Sequence, residues 1–255
     1  MRVGWVRNFV AVVKTRLIER RIPFVVDLKD FEPGGVRFEI SNPVEIFRVL
    51  GHGGETEYTR AMLANLRDDD VLYDIGTNVG MVALHAAKRC RTVAFEPDPS
   101  FRRRFETNLA LNPDRSVVVE PIAISDRDGT VELYTDGAQG NSPSLVHQRG
   151  ELGSVAVTAR SLDSLLAEGR LPNPTVLKLD IEGAEILALQ GAADLLSGPA
   201  CPRAIFIEVH DNLLSGFGST PEQVHALLNK YGYTKTLYRV RRSGQELLIL
   251  EHSAS

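Results

Sequence analysis

The chain has 255 residues, 43% of them hydrophobic and 24% charged, the balance of an ordinary globular protein with room for one large α/β domain. This excludes a disordered tail protein, a collagen-like repeat and a disulfide-stapled miniprotein. Its 29 basic and 33 acidic side chains leave a net charge of −4, the wrong sign for a general nucleic-acid coat. Cys90 and Cys201 form no CxxC pair and match no structural zinc spacing, so they read as reduced thiols in a cytoplasmic protein. No run of about 18 uncharged apolar residues is present to span a membrane.

The amino terminus departs from this average. Residues 1–21 carry Arg2, Arg7, Lys14, Arg16, Arg20 and Arg21 against the single acid Glu19. Val6, Phe9, Val10, Val13 and Leu17 fall at helical spacing, and the segment lacks the uncharged core and cleavage site of a secretory signal. A basic amphipathic helix packs on the domain that follows or lies peripherally on an anionic membrane face, such as the inner face of the cell membrane. Next, 24–29 and 35–40 alternate apolar and polar around Pro33-Gly34-Gly35, a β-hairpin signature. Residues 1–54 thus read as an extension, and 55–255 as the main domain.

That domain opens with a helix at 56–67, Thr56 as its cap. From residue 71 strands and helices alternate. Strands are expected at Val71–Ile75, Thr92–Glu96, Val117–Val119, Val176–Leu179 and Ala204–Val209, with helices at 79–89, 99–111, 184–196 and 221–231. Short apolar strands alternating with amphipathic helices mean a mostly parallel sheet covered on both faces. Thr234–Val240 and Glu246–Leu250, joined through Ser243-Gly244, read as a terminal antiparallel hairpin. An insertion at about 122–160 holds β-like runs at 130–135 and 155–159 around a polar loop, 136–153.

The chemistry concentrates at strand ends. Asp74-Ile75-Gly76-Thr77-Asn78-Val79-Gly80 is a strand end, a glycine turn and a helix start, placed where open α/β sheets bind ligands. Its D-x-G-x-N-x-G spacing differs from the G-x-G-x-x-G of pyrophosphate binders. A carboxylate at Asp74 repels a pyrophosphate but attracts an ammonium group, and S-adenosylmethionine carries an α-amino group and a sulfonium. Glu96, at the end of the next strand, suits a pair of ribose hydroxyls.

Several segments in order resemble the FkbM-type family of S-adenosylmethionine-dependent methyltransferases. They are the glycine segment 74–80, Phe95-Glu96-Pro97, Asn108-Leu109-Ala110-Leu111-Asn112, Ala123-Ile124-Ser125-Asp126 with Gly129, Ser161-Leu162-Asp163-Ser164-Leu165, and Lys178-Leu179-Asp180-Ile181-Glu182-Gly183-Ala184-Glu185. Thr77 stands where alanine is expected. The resemblance implies a class I methyltransferase fold, Rossmann-like, with a mostly parallel seven-stranded sheet. It also implies O-methylation of a sugar, glycan or polyketide-type natural product. Cofactor contacts are expected from Asp74, Gly76, Thr77, Asn78, Gly80, Glu96, Pro97 and Asp180, and near adenine from Ser125 and Asp126.

Transfer to a hydroxyl calls for alignment and for a base within hydrogen-bond reach. His210 is the expected base, because an unperturbed imidazole titrates near neutrality, with Asp180 or Glu182 orienting it or the substrate. Asp180, Glu182, Glu208 and His210 also suit a divalent metal such as magnesium or manganese. With no tight ligand motif present, the metal-free reading is preferred. Lys178 reads as a buried partner of Asp180, and Arg102-Arg103-Arg104 as the solvated face of a helix. Asn141, Ser142 and Ser144 are candidates for an acceptor pocket or lid. The acceptor is expected to be a small molecule, a glycan or a lipid-linked sugar rather than a nucleic acid. The competing readings are an RNA methyltransferase, which the acidic charge and the missing Asn/Asp-Pro-Pro-Tyr motif disfavour, and a non-catalytic, membrane-recruited cofactor-binding module.

Overall fold

The computed structural model describes residues 21–31, 35–51, 55–136, 142–147 and 153–253. The expected basic helix, the Pro33-Gly34 turn and Asn141 lie outside the described residues. The strands in chain order are β1 (Phe24–Leu28), β2 (Val36–Ile40), β3 (Val71–Ile75), β4 (Arg91–Phe95), β5 (Val117–Glu120), β6 (Ala123–Ile124), β7 (Gly129–Thr135), β8 (Gly153–Arg160), β9 (Val176–Leu179), β10 (Ala204–Val209), β11 (Lys235–Arg242) and β12 (Gln245–Glu251).

Seven of them form one sheet in the order β11-β12-β10-β9-β3-β4-β5. The five from β10 to β5 run parallel, and β12 and β11 close the edge antiparallel. The expected seven-stranded Rossmann-like sheet with a terminal hairpin is therefore present. Its strands have apolar residues at successive positions because both faces are covered. Tyr73, Ile75, Val93, Phe95, Leu177 and Leu179 pack on one side. Leu72, Val176, Phe206 and Ile249 meet Tyr58 and Met62 of the helix Thr56–Asn65, and Leu66 just after it, on the other. The chain runs outward from β3 through β4 to β5, then returns to lay β9 against the opposite side of β3. This reversal opens a crevice above the ends of β3 and β9, where ligands bind in such sheets.

Local chemistry explains most helix ends. Asp98 caps the helix Pro99–Ala110 by accepting from the N–H groups of Ser100 (2.7 Å) and Phe101 (3.1 Å), with Pro99 at the position where its missing N–H costs nothing. The expected helix over 79–89 is only Met81–Ala86, starting after Gly80 at φ +92°. Thr56 is not a cap; Glu55 holds that position without a side-chain bond. The span 184–196 divides into Glu185–Gln190 and Ala193–Ser197. At Gly191, between them, a Cβ would lie 2.0 Å from the Ser125 carbonyl oxygen. The insertion forms a separate small sheet, β6-β8-β7.

The β1–β2 hairpin is bound into the rest of the fold. Asn108 accepts from the Glu39 N–H (2.9 Å) while donating to the Val79 carbonyl (2.9 Å). Asn112 accepts from the Arg37 N–H (2.9 Å) and donates back to its carbonyl (2.8 Å). Two buried amides one helical turn apart thus stand in for a neighbouring strand along β2. Arg104, expected in solvent, instead bonds Glu39 (2.7 Å) and Glu45 (2.8 Å). This tethers the short helical turn Pro43–Glu45, which continues as a π-helix, Ile46–Leu50.

Candidate active site

The glycine turn is shaped by backbone contacts. Gly76 has φ +82°, and a Cβ there would sit 1.9 Å from the Asp180 carbonyl oxygen. Only glycine permits both the left-handed conformation and this approach of β3 to β9. The N–H groups of Gly76 and Thr77 both reach the Phe95 carbonyl (3.1 and 3.2 Å), and the Thr77 hydroxyl donates to the Asp74 carbonyl (2.8 Å). Gly80 is confined by the Phe105 ring, 2.3 Å from where its Cβ would stand. The Asn78 N–H donates to Glu96 Oε2 (2.8 Å) and the Asp98 N–H to Oε1 (3.0 Å), fixing the Glu96 carboxyl at the crevice edge. Burial pushes Glu96 up to about 8, against the pull of those two N–H groups.

Asp74 lies beneath this turn rather than at its surface, with its side chain fully buried. It faces Lys178 across the β3–β9 pair. Lys178 Nζ donates to the Gly76 carbonyl (2.8 Å) and pairs with Asp74 Oδ1 (3.1 Å) and Asp180 Oδ2 (3.3 Å). Burial opposes the charge on Lys178, but Asp74 and Asp180 outweigh it and raise its pKa. Asp74 therefore acts on the crevice through Lys178, which ties the glycine turn to Asp180.

The end of β9 carries the second group. Glu182 has φ +53°, followed by Gly183 at +94°. The bend is braced by Glu185, whose Oε1 accepts from the N–H groups of Ile181 (3.3 Å) and Gly183 (3.1 Å). That same oxygen is 2.8 Å from His210 Nδ1. The opposite ring nitrogen, Nε2, points at three carboxylates: Glu208 at 3.3 Å, Glu182 at 3.6 Å and Asp180 at 3.9 Å. Burial alone would lower the His210 pKa, but Glu185, Glu208 and Glu182 hold it well above an ordinary imidazole. The carboxylates around the ring therefore favour its protonated form, against its burial. Burial raises the Glu182 and Glu208 carboxyls.

Two cavities share this wall. The first is lined by Gly76, Asn78, Glu96 and Pro97, by the apolar Phe95, Ile122, Ile124 and Leu133, and by Asp180 and Glu182. A carboxyl group for hydroxyls beside an apolar slot suits a nucleoside, so the residues present fit S-adenosylmethionine. Ser125 and Asp126 line a neighbouring hollow, whereas Ile122, Ala123 and Ile124 line the first cavity. The second cavity, about 1100 Å³, also touches Gly76, Asn78, Ser142, Asp180 and Glu182. Its other walls combine the charged Arg48, Glu55, Lys178 and Glu208 and the hydroxyl of Tyr58 with an apolar surface that includes Phe47, Met62, Val79, Met81 and Val82. Glu55 is pushed up to about 8 by burial and by the charges of Glu208 and Asp180. Ser142 thus lines both cavities, and the Ser144 hydroxyl reaches the Glu182 carbonyl at 3.2 Å.

Sequence reasoning missed Arg48, Glu55 and Tyr58, which stand far from the strand-end motifs. It quoted Glu185 within a motif without a role; the i, i+3 spacing from Glu182 on a helix start was the available signal.

The family model described as the methyltransferase FkbM domain matches residues 74–235. A hexuronic acid methyltransferase, AglP, of Haloferax volcanii is 27% identical over 241 residues, covering 94% of this chain and 93% of its own. A 2-O-methyltransferase, NoeI, of Sinorhizobium fredii is 28% identical over 58% of this chain and 66% of its own. Among solved structures, an FkbM methyltransferase from Methylobacillus flagellatus superposes with a TM-score of 0.50 at 16% identity. The match spans 76% of this chain and 47% of that one, a likeness of fold.

Proposed function

The chain belongs to the FkbM methyltransferase family, and from that premise we propose that it methylates a hydroxyl oxygen of a sugar-like acceptor. The observation that carries this reading is the meeting of the two cavities at Gly76, Asn78, Ser142, Asp180 and Glu182. One cavity suits the nucleoside, and the other carries the carboxylates of Glu55, Asp180, Glu182 and Glu208 beside apolar side chains, hydrogen-bonding groups and an apolar surface that a sugar ring can use. A similar protein of nearly equal length is named for a hexuronic acid, and a second for 2-O-methylation, which supports a sugar over other hydroxyl compounds.

In this reading Glu96, Asn78 and the wall at 122–124 hold S-adenosylmethionine, which supplies a methyl group on a sulfonium and so needs no acid to leave. The protein's main task is alignment, worth up to about 7–11 kcal/mol in favourable cases. Asp180 and Glu182 border both cavities and orient the hydroxyl. Glu208 touches only the acceptor cavity and takes the hydroxyl proton, its burial-raised pKa bringing it closer to working pH. His210 keeps these carboxylates together as a positioning residue, clamped from behind by Glu185. Residues 1–21, basic and apolar, bring the protein to an anionic lipid surface where a lipid-linked sugar is displayed.

The test is methyl transfer by the full chain to a panel of neutral and acidic saccharides and to natural-product alcohols, read by mass spectrometry. Methylation of an oxygen on a saccharide is expected. Cofactor binding with transfer only to non-sugar alcohols or to nitrogen would sink the acceptor assignment.

A further inference from the structure

We propose that Asp180, Glu182 and His210 together hold one magnesium or manganese ion where the two cavities meet. The assignment of those cavities to cofactor and acceptor is the reading above, on which this inference rests. One carboxylate oxygen from each acid and one imidazole nitrogen all lie within 4.8 Å of one another. Metal–ligand bonds of about 2.0–2.6 Å put any two ligands at most about 5 Å apart, so a single ion spans the set. Two of the three donors are carboxylate oxygens, the ligand type that suits magnesium and manganese.

Glu185 supplies a separate observation. It is fully buried and outside the ligand set. It meets His210 Nδ1 at 2.8 Å, turning Nε2 toward the acids. A ligating histidine is characteristically oriented in this way, its other ring nitrogen donating to a carboxylate. The same Glu185 oxygen holds the N–H groups of Ile181 and Gly183, on either side of Glu182. One carboxylate therefore sets both the imidazole and the backbone bend that presents the two acidic ligands.

The position gives the ion a role. Asp180 and Glu182 line both cavities, so an ion on them meets the acceptor hydroxyl at the face turned to the methyl donor. Held by Nε2 and the two carboxylates, it would bind one or two neighbouring hydroxyl oxygens and make the reacting hydroxyl more acidic. The hydroxyl proton passes to Glu208, the oxygen lone pair forms the new bond to the methyl carbon, and the carbon–sulfur bond breaks with its electron pair staying on sulfur, which leaves as the neutral thioether.

The experiment titrates the full-length protein with manganese, reading free ion by electron paramagnetic resonance and heat by calorimetry. About one ion per chain is expected, with affinity falling about 10–100-fold in Glu185→Gln, the usual cost of losing a group that orients a ligand. Asp180→Asn with Glu182→Gln is expected to abolish binding, and the exposed Glu222→Gln to leave it unchanged. Retained S-adenosylmethionine affinity in Glu185→Gln and His210→Gln shows that these variants fold. Absence of manganese binding at millimolar concentration overturns the site, as does equal binding in the double variant. Full turnover of a saccharide in EDTA also overturns it while leaving the acceptor reading intact. A bound ion without any methylated saccharide does the reverse.

Discussion

The two cavities are built on opposite principles. The cofactor side is made from contiguous pieces: a glycine turn, the end of the next strand and the short run at 122–124. Its key contacts are backbone groups, with Gly76 against the Asp180 carbonyl and the Asn78 and Asp98 N–H groups on Glu96. The acceptor side collects side chains from the π-helix, the helix Thr56–Asn65, the glycine turn, the loop near 142, β9 and β10. Backbone geometry tolerates little change, whereas a surface assembled from side chains can be altered one residue at a time.

The largest effect is expected at the backbone. Gly76→Ala places a Cβ against the Asp180 carbonyl and forces alanine into φ +82°, a strain of about 1–3 kcal/mol before the clash is counted. Both cavities should be lost: no heat of S-adenosylmethionine binding, and a lower melting temperature. A variant that binds normally would show that the turn is less constrained than its contacts indicate. Next, Glu208→Gln should lower kcat by about 10²–10⁴, the range for losing a general base. S-adenosylmethionine affinity should hold within about twofold, because Glu208 borders the acceptor cavity alone. Equal loss of both would break the comparison between the two sides.

Glu96 sharpens it from the other side. Burial raises its pKa to about 8, so the group is protonated in the free protein below that pH. Ribose hydroxyls donating to it favour the ionised form. Cofactor binding should therefore release up to about one proton below pH 8 and none well above it. Affinity should accordingly rise with pH through 8. Calorimetry in buffers of different ionisation heat measures this directly, and Glu96→Gln should bind about 10–100-fold more weakly with no proton release. Asn112→Ala removes the amide that pairs with Arg37 on β2. A loss of about 1–3 kcal/mol in stability is expected from the unsatisfied backbone groups. The acceptor KM should rise several-fold, the cofactor Kd staying unchanged. The smallest chemical effect is expected from removing residues 1–20. Turnover of a soluble acceptor should persist while sedimentation with anionic vesicles falls, and unchanged sedimentation would remove the membrane from the reading.

Much of the cofactor side was legible from sequence because each requirement acts on neighbouring residues. Gly76 and Gly80 announce a turn, and Glu96 announces its strand end by position. Even there, Asp74 was read one layer too far out: spacing identifies the strand end but not that Lys178 on the adjacent strand covers it. On the acceptor side the signal fails. Glu55 and Arg48 look like ordinary surface charges in the sequence, and only the packing of the elements that precede β3 against the sheet brings them to the crevice. Arg104 fails similarly, since its partners Glu39 and Glu45 are about sixty residues away in the chain.

By itself, then, the sequence determined the alternating parallel sheet, its terminal antiparallel hairpin, the glycine turn and the family. Each rests on short-range periodicity or on a residue type that backbone geometry demands. Tertiary structure alone decided the environment of His210. Its identity suggests a base near neutrality, but Glu185 behind it and Glu182 and Glu208 beside it stabilise the charged ring. Those carboxylates come from two strand ends joined only by the fold, and a pKa is set by what surrounds a group in space.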